Sequence, residues 1–287
     1  MALTTFRLAL LECSRPVPVV LETIGDYRQI FQTLLEASLD PINASRPEGT
    51  ESVSFTLEGY DVVNKMEYPS DDVEYDGVLL SGSPSSAYED VEWVNKLVAY
   101  TKRIIEEKPK MKIFGICFGH QIIARALGGS CTPNSGKWEI AVTTVQLTAL
   151  GKAIFGSEEL DIQQMHQDHV PTLPTGCHLL GSTAVTPNQG FVVFDLPLTR
   201  SAESIEPGPS PVPLPSIHIL TTQGHPEFTP AIMHAIMDAR CHLFGESLTA
   251  DGRKRADGIP GKERVDGRPC DGVGVIGRTI WGVLGVV

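Results

Sequence analysis

The sequence contains no Cys-x-x-Cys pair, no Gly-x4-Gly-Lys-Ser/Thr loop and no internal repeat. The first absence matters because six cysteines (13, 117, 131, 177, 241, 270) are scattered through a chain long enough to stand without staples. They read as reduced thiols, which points to an intracellular, cytoplasmic protein. The missing phosphate loop leaves no nucleotide-driven synthetase within the chain. Positive charge is also scarce. Lys plus Arg number 23 against 35 Asp plus Glu, a net charge of −12 that argues against a nucleic-acid partner. No apolar run reaches the roughly 20 residues that a membrane span requires. Gly272 to Val287 is apolar but short, and Arg278 and several glycines interrupt it. That segment is expected to be a helix docking on the domain, with no membrane partner. The N-terminus has no basic region ahead of an apolar block, and Glu12 breaks the only early run, so no signal peptide is expected.

What is present is a rhythm of strands and helices in 287 residues of which 41% are hydrophobic. Arg7 to Cys13 reads as a first strand, broken by Pro16 and Pro18. Tyr27 to Ser38 carries Ile30, Phe31, Leu34 and Leu35 at helical spacing, and Asp40 to Thr50 reads as a loop. Ser52 to Val63 alternates Val53, Phe55 and Leu57, a second strand. A third strand from Asp76 runs into the turn Ser81-Gly-Ser-Pro84. Asp90 is placed as the N-cap of a helix ending at Glu107. Strands alternating with helices imply an α/β fold: three layers, a mostly parallel central sheet with helices on both faces. Ligands bind beyond the carboxyl ends of such strands. Further on, Glu139 to Leu147 and Cys177 to Phe194 look like strands in hairpins, a smaller antiparallel sheet. A proline-rich loop covers 201–216. The strand Ile217 to Thr222 follows. Then comes a helix, Ala231 to Phe244, capped by Thr229, with Ile232, Ile236 and Leu243 inward. Asp251 to Asp271 is polar and reads as a loop. The division expected is one domain, 1–248, and a C-terminal tail, 249–287.

The chain is organised around Lys112 to Gly129. Ile113 to Ile116 forms a buried strand, Cys117 follows at once, and Gln121, Ile122, Ile123, Ala126 and Leu127 recur at helical spacing. Gly115 and Gly119 flank the cysteine. That is the strand–sharp turn–helix layout of a nucleophile elbow. The thiol sits at a helix N-terminus, where the helix dipole favours a thiolate. Most free cysteines are simply small core residues. Here the chain also offers His225 and Glu227 just after a strand, held by Pro226 on an extended turn. A cysteine nucleophile needs a base, and the base needs a carboxylate to hold its tautomer.

Gly-Ile-Cys-Phe-Gly-His-Gln (115–121), Leu-Leu-Ser-Gly-Ser-Pro (79–84) and Gln-Gly-His-Pro-Glu-Phe (223–228) resemble the three signatures of class I glutamine amidotransferase domains. The resemblance covers roughly residues 5 to 245 in order and spacing. It implies a Cys-His-Glu triad that hydrolyses a γ-glutamyl amide through a thioester. Cys117 would attack, His225 would carry the proton and Glu227 would orient His225. The backbone N–H groups of Ser83 and Phe118 would form the oxyanion hole. Within the family the chain looks closest to stand-alone γ-glutamyl peptidase-like members. The runs that carry this are Tyr75 to Ser83, Phe114 to Arg125 and Met165-His-Gln-Asp168. The chain departs from the common pattern in having Gly82-Ser83 where Gly-Gly is usual. The proline-rich loop and the tail are also its own.

The resemblance assigns glutamyl recognition to Gly82, Gln121, His166 and Asp168, with Asp168 facing the α-ammonium. Read without it, His166-Gln-Asp-His169 is a polar loop or an incomplete zinc set, and no metal is expected. Trp138 and Glu139 either line the pocket or simply begin a strand. No cofactor is implied. The reading favoured is a cysteine hydrolase acting on glutamine or glutathione-type substrates, its partner a small γ-glutamyl molecule. The alternatives are a glutaminase passing ammonia to a separate synthetase, a lyase or other tailoring enzyme on the same scaffold, and a non-catalytic binding module.

Overall fold

The computed structural model describes residues 4–195, 212–262 and 267–287. Strand β1 (Thr4–Glu12) sorts its side chains by the period of two. Leu8 and Leu10 enter one core, Ala9 and Leu11 the other. Pro18 does more than break this strand. It occupies the first turn of a short helix α1 (Pro18–Thr23), where its missing N–H is not needed. Helix α2 (Tyr27–Ala44) starts at a capping box in which Asp26 and Gln29 bond each other's backbone N–H at 2.8 and 2.9 Å. It passes through Pro41 and outruns the boundary expected at Ser38, so the loop after it begins only beyond Ala44. Leu39 and Ile42 carry the apolar stripe into the core, and that burial offsets the proline's lost hydrogen bond.

Strands β2 (Val53–Asp61) and β3 (Gly77–Leu80) lead to helix α3 (Glu92–Glu107). Its N-cap is Val91, not Asp90; the Asp90 carboxylate accepts instead from the Asn95 side chain at 2.7 Å. Strand β4 (Lys112–Ile116) turns directly into helix α4 (Phe118–Ala126). The short strand β5 (Thr132–Pro133), the long β6 (Glu139–Leu147), helix α5 (Ala149–Phe155), β7 (Glu159–His166) and β8 (Asp168–His169) follow. Then come β9 (His178–Leu179), β10 (Gly181–Ser182), β11 (Phe191–Phe194) and β12 (Ile217–Thr222).

The central sheet has the order β2-β1-β3-β4-β12-β11-β9. Its first five strands are parallel; β11 then pairs antiparallel to β12, and β9 antiparallel to β11. A second, antiparallel sheet runs β10-β6-β7, and β5 pairs with β8. Helices α3 and α4 cover one face of the central sheet and α2 the other. The expected three-layer α/β architecture is therefore present. Of the proline-rich loop expected at 201–216, only residues 212–216 fall within the description, and Leu214–Ser216 forms a 3-10 turn; the rest lies outside the described residues.

Helix α6 (Pro230–Phe244) is capped by Thr229, whose hydroxyl accepts from Ile232 N–H at 3.3 Å. It buries Ile232, Met233, Ile236, Met237 and Phe244, while Leu243, expected inward, is half exposed. Helix α7 (Glu246–Arg255) occupies ground expected to be loop, and the boundary drawn at 248/249 falls inside it. Its composition is polar, but Arg255 donates to the Val142 carbonyl and pairs with Asp251 at 2.7 Å, and Gly252 lies against Ile140 of β6. Tertiary contacts override a weak local preference. The π-helical turn Gly272–Gly277 and helix α8 (Arg278–Val283) then return to α2. Trp281 is fully buried between Phe6 and Phe55 and donates to the Leu35 carbonyl and the Ser38 hydroxyl. The segment expected to dock as a helix does so, and it completes the core on the α2 face. Among the described residues no helix is long and apolar enough to cross a membrane.

Candidate active site

The site forms at the carboxyl ends of β3, β4 and β12. Cys117 leaves β4 with φ 52° and ψ −102°, a left-handed conformation that few side-chain-bearing residues adopt. Its N–H is tied to the Thr222 carbonyl of β12 at 2.8 Å, and its carbonyl accepts from Gln121 N–H at 3.1 Å. The turn is possible because Gly119 has no side chain: a Cβ there would stand 2.3 Å from the Leu80 carbonyl oxygen of β3. Strand, turn and helix are thus locked together around one buried thiol.

His225 reaches this thiol from the end of β12. Its backbone N–H donates to the Gln163 carbonyl of β7 at 2.8 Å, and its ring stacks on Phe228, centroids 4.0 Å apart. Nδ1 bonds Glu227 Oε1 at 2.8 Å, with both residues buried. With Nδ1 so engaged, Nε2 is the ring nitrogen left for Cys117, which acts on the imidazole. Burial alone would lower the basicity of His225. The charges of Glu227 and Cys117 outweigh it and raise the imidazole to about 10. An imidazolium is the form that stabilises an adjacent thiolate.

Gly82 lies between the two. A Cβ on it would meet His225 Cε1 at 2.7 Å and Cys117 Cβ at 3.7 Å, so only glycine lets the β3 turn approach so closely. The Gly82 carbonyl accepts from the hydroxyls of Ser81 at 3.1 Å and Ser14 at 3.4 Å. In a trans peptide the N–H of Ser83 points the opposite way. Phe118 opens α4, so its N–H is one of the donors a helix start leaves without an intrahelical partner.

Of the residues assigned to glutamyl recognition, Gly82 lies with Cys117 and His225, and Gln121, His166 and Asp168 gather in a second cluster. Gln121, one turn past Cys117, donates to the Asp168 carbonyl and to Gln223 Oε1, both at 3.1 Å. His166 Nδ1 lies 3.1 Å from the same carbonyl, and its Nε2 faces Glu139 Oε2 at 3.2 Å. Asp168 Oδ2 accepts from the Ser86 hydroxyl at 2.6 Å. The buried thiol of Cys131 is pushed up by burial and then by the charges of Asp168 and Cys117. Trp138 packs on Phe244 at 4.8 Å, a core contact. Glu139 belongs to a buried network with Thr183 and Gln189. Among the described residues no group of His, Cys, Asp and Glu could hold a metal ion.

Several contributors were invisible in the sequence reading. Ser14 and Ser81 brace the Gly82 carbonyl, and Ser86 holds Asp168. Gly272 presses on the turn between His225 and Glu227: a Cβ there would meet the Pro226 carbonyl oxygen at 2.3 Å. Spatial contact reveals these roles: Ser14, Ser86 and Gly272 sit in no motif, and Ser81 lies in one that does not announce its bond to the Gly82 carbonyl.

The arrangement defines an α/β protein with a nucleophile elbow facing a histidine–carboxylate pair. Comparison with known proteins places it more closely. Residues 49–194 match the family model for class-I glutamine amidotransferases, and the chain belongs to that family. It is 30% identical over 254 residues to a glutamine amidotransferase-like protein of Schizosaccharomyces pombe, covering 88% of this chain and 92% of that one. It is 29% identical over 223 residues to gamma-glutamyl peptidase 4 of Arabidopsis thaliana, covering 76% and 74%. Its fold is that of a glutamine amidotransferase from Thermotoga maritima, with a TM-score of 0.61 at 18% identity over 97% of this chain and 98% of the other.

Proposed function

We propose that the chain is a cysteine hydrolase of γ-glutamyl amide or peptide bonds. The observation that carries this reading is the 2.8 Å bond from His225 Nδ1 to Glu227, in an imidazole whose basicity both Glu227 and Cys117 raise. The thiolate of Cys117 attacks the γ-carbonyl carbon and a tetrahedral oxyanion forms. Ser83 and Phe118 N–H groups stabilise that oxyanion; two preorganised donors at about 3 Å are worth roughly 10²–10³ each in rate. The imidazolium of His225 gives its proton to the departing nitrogen, leaving a glutamyl thioester. Neutral His225 then takes a proton from water, which releases glutamate and restores the thiolate. Gln121, His166 and Asp168, with Gly82, hold the glutamyl end, Asp168 pairing with its α-ammonium. Family membership and the similarity to gamma-glutamyl peptidases support the substrate class.

Glutamate release from glutamine, glutathione and a glutathione S-conjugate tests the reading. The native chain should turn over at least one glutathione-type compound. Cys117→Ala should abolish release while far-ultraviolet dichroism and Tm stay unchanged. Retained turnover in that variant would refute the thioester. Turnover of glutamine alone, and only with a partner protein added, would favour the ammonia-delivering reading instead.

A further inference from the structure

A small cavity of about 30 Å³ abuts His225. Ser83, His225, Tyr27, Arg15 and Arg240 border it, together with apolar side chains. Met165 also lines it, while its neighbour His166 makes the contact to Asp168. Successive strand residues point to opposite faces, so the cavity and the Asp168 cluster lie on opposite sides of β7. If the glutamyl end sits by Asp168, the bond's other end, the departing amine, faces this cavity.

Its charge is unusual for this chain. The protein carries −12 overall, yet no carboxylate borders the cavity and two guanidiniums do. Elsewhere the arginines are mostly engaged. Arg7 binds Glu58, Arg103 binds Asp71, Arg253 binds Asp238 and Arg255 binds Asp251. Arg15 and Arg240 have no ion pair or side-chain hydrogen bond among the described residues. Glu12 and Asp61 act on Arg15 only through space. Both arginines are held where they are by the catalytic framework. Arg15 follows Ser14, whose hydroxyl bonds the Gly82 carbonyl, and Arg240 stands one turn after Ile236 on α6, another residue of the cavity wall. The Tyr27 phenol, which also borders the cavity, is pushed up mainly by burial, and Arg240 pulls it back.

We propose that Arg15 and Arg240 form an anion subsite for the leaving group, so that the favoured substrates are γ-glutamyl amides whose amine bears a carboxylate. This inference rests on the hydrolase reading above and sharpens it, because the leaving group becomes an amino acid or short peptide and not ammonia. A guanidinium fork matches a carboxylate in geometry and charge. Ammonia leaving from glutamine has no group to use it.

The test compares γ-glutamylglycine, γ-glutamylglycinamide and glutamine as substrates of the full chain at neutral pH, followed by glutamate release. The native protein should show kcat/KM for the carboxylate about tenfold or more above that for the carboxamide. Arg240→Gln and Arg15→Gln should each erase most of that ratio by raising KM for γ-glutamylglycine, with kcat and the carboxamide's kcat/KM nearly unchanged. Equal kcat/KM for carboxylate and carboxamide in the native protein would overturn the subsite while leaving the hydrolase intact. So would variants that slow both substrates alike. Absence of glutamate release from every γ-glutamyl compound would overturn the hydrolase reading and this inference with it.

Discussion

The turn that carries Cys117 and the turn that carries His225 and Glu227 meet at the same point but are built in opposite ways. The cysteine turn is local. Five residues, Gly115 to Gly119, set its strained backbone, and its close contacts are with the adjoining strands β3 and β12. The histidine turn is assembled from afar. Gln163 of β7 holds its N–H, Gly82 leaves room for its ring, and Gly272, near the end of the chain, supports the Pro226 carbonyl from behind. The C-terminal segment is in turn pinned to β7, where the Asp271 N–H donates to the Asp161 carbonyl and the Asp161 N–H to the Asp271 carboxylate, both at 2.7 Å; Gln163 Nε2 of the same strand donates to the Ala256 carbonyl at 2.7 Å. A nucleophile's reactivity depends on its own backbone, so it can be written into a short motif. A base must be aimed to within about an ångström at a partner made elsewhere, so its support is spread over the fold.

Breaking the shared point should have the largest effect. His225→Ala should lower kcat by roughly 10⁶-fold, close to the loss of Cys117, because such residues act as a unit. Single-turnover glutamate release would measure it, and a loss below about a hundredfold would remove His225 from the chemistry. Glu227→Gln should cost less, up to roughly 10⁴-fold. It should also move the alkaline limb of the activity profile to lower pH. The sign follows from the charge: His225 is raised to about 10 partly by the Glu227 carboxylate, so neutralising that carboxylate lowers the imidazole and deprotonates the acid earlier. An unmoved limb would show that another group governs it.

The contrast between the two turns is sharpened by a smaller change far along the chain. Gly272→Ala should push the Pro226 carbonyl and misplace His225, lowering kcat by roughly 10². Gly277→Ala is its control. Its Cβ would meet Ser38 at 2.7 Å, so it strains the same segment against α2 without touching the histidine turn. The control should lower Tm and leave kcat within about twofold. Equal effects of the two substitutions on kcat would show that the segment serves stability alone.

The motif residues were legible because they sit at fixed offsets that chemistry demands. Cys117 between its glycines, His225 two residues from Glu227 and the turn after β3 could be read in line, and the structure brings all of them together. The cluster of Gln121, His166 and Asp168 was legible through resemblance, and it too assembles. Other features were missed by reading in line. Helix α7 has a polar composition but is held by Val142 and Ile140, more than a hundred positions back; Leu243 keeps the apolar spacing yet is half exposed, and Asp90 has a capping side chain that Asn95 engages instead.

Strand and helix alternation and the parallel sheet follow from periodicity, and the candidates Cys117, His225 and Glu227 from the motifs that carry them. The position of His225, the bracing of the β3 turn by Ser14, the empty-handed pair Arg15 and Arg240, and the use of residues 269–287 as a buttress were settled only on folding. The physical reason is range. Periodicity and turn chemistry act between residues a few positions apart, whereas steric exclusion at Gly272 and charge balance around His225 arise between groups that the chain must first bring within contact distance.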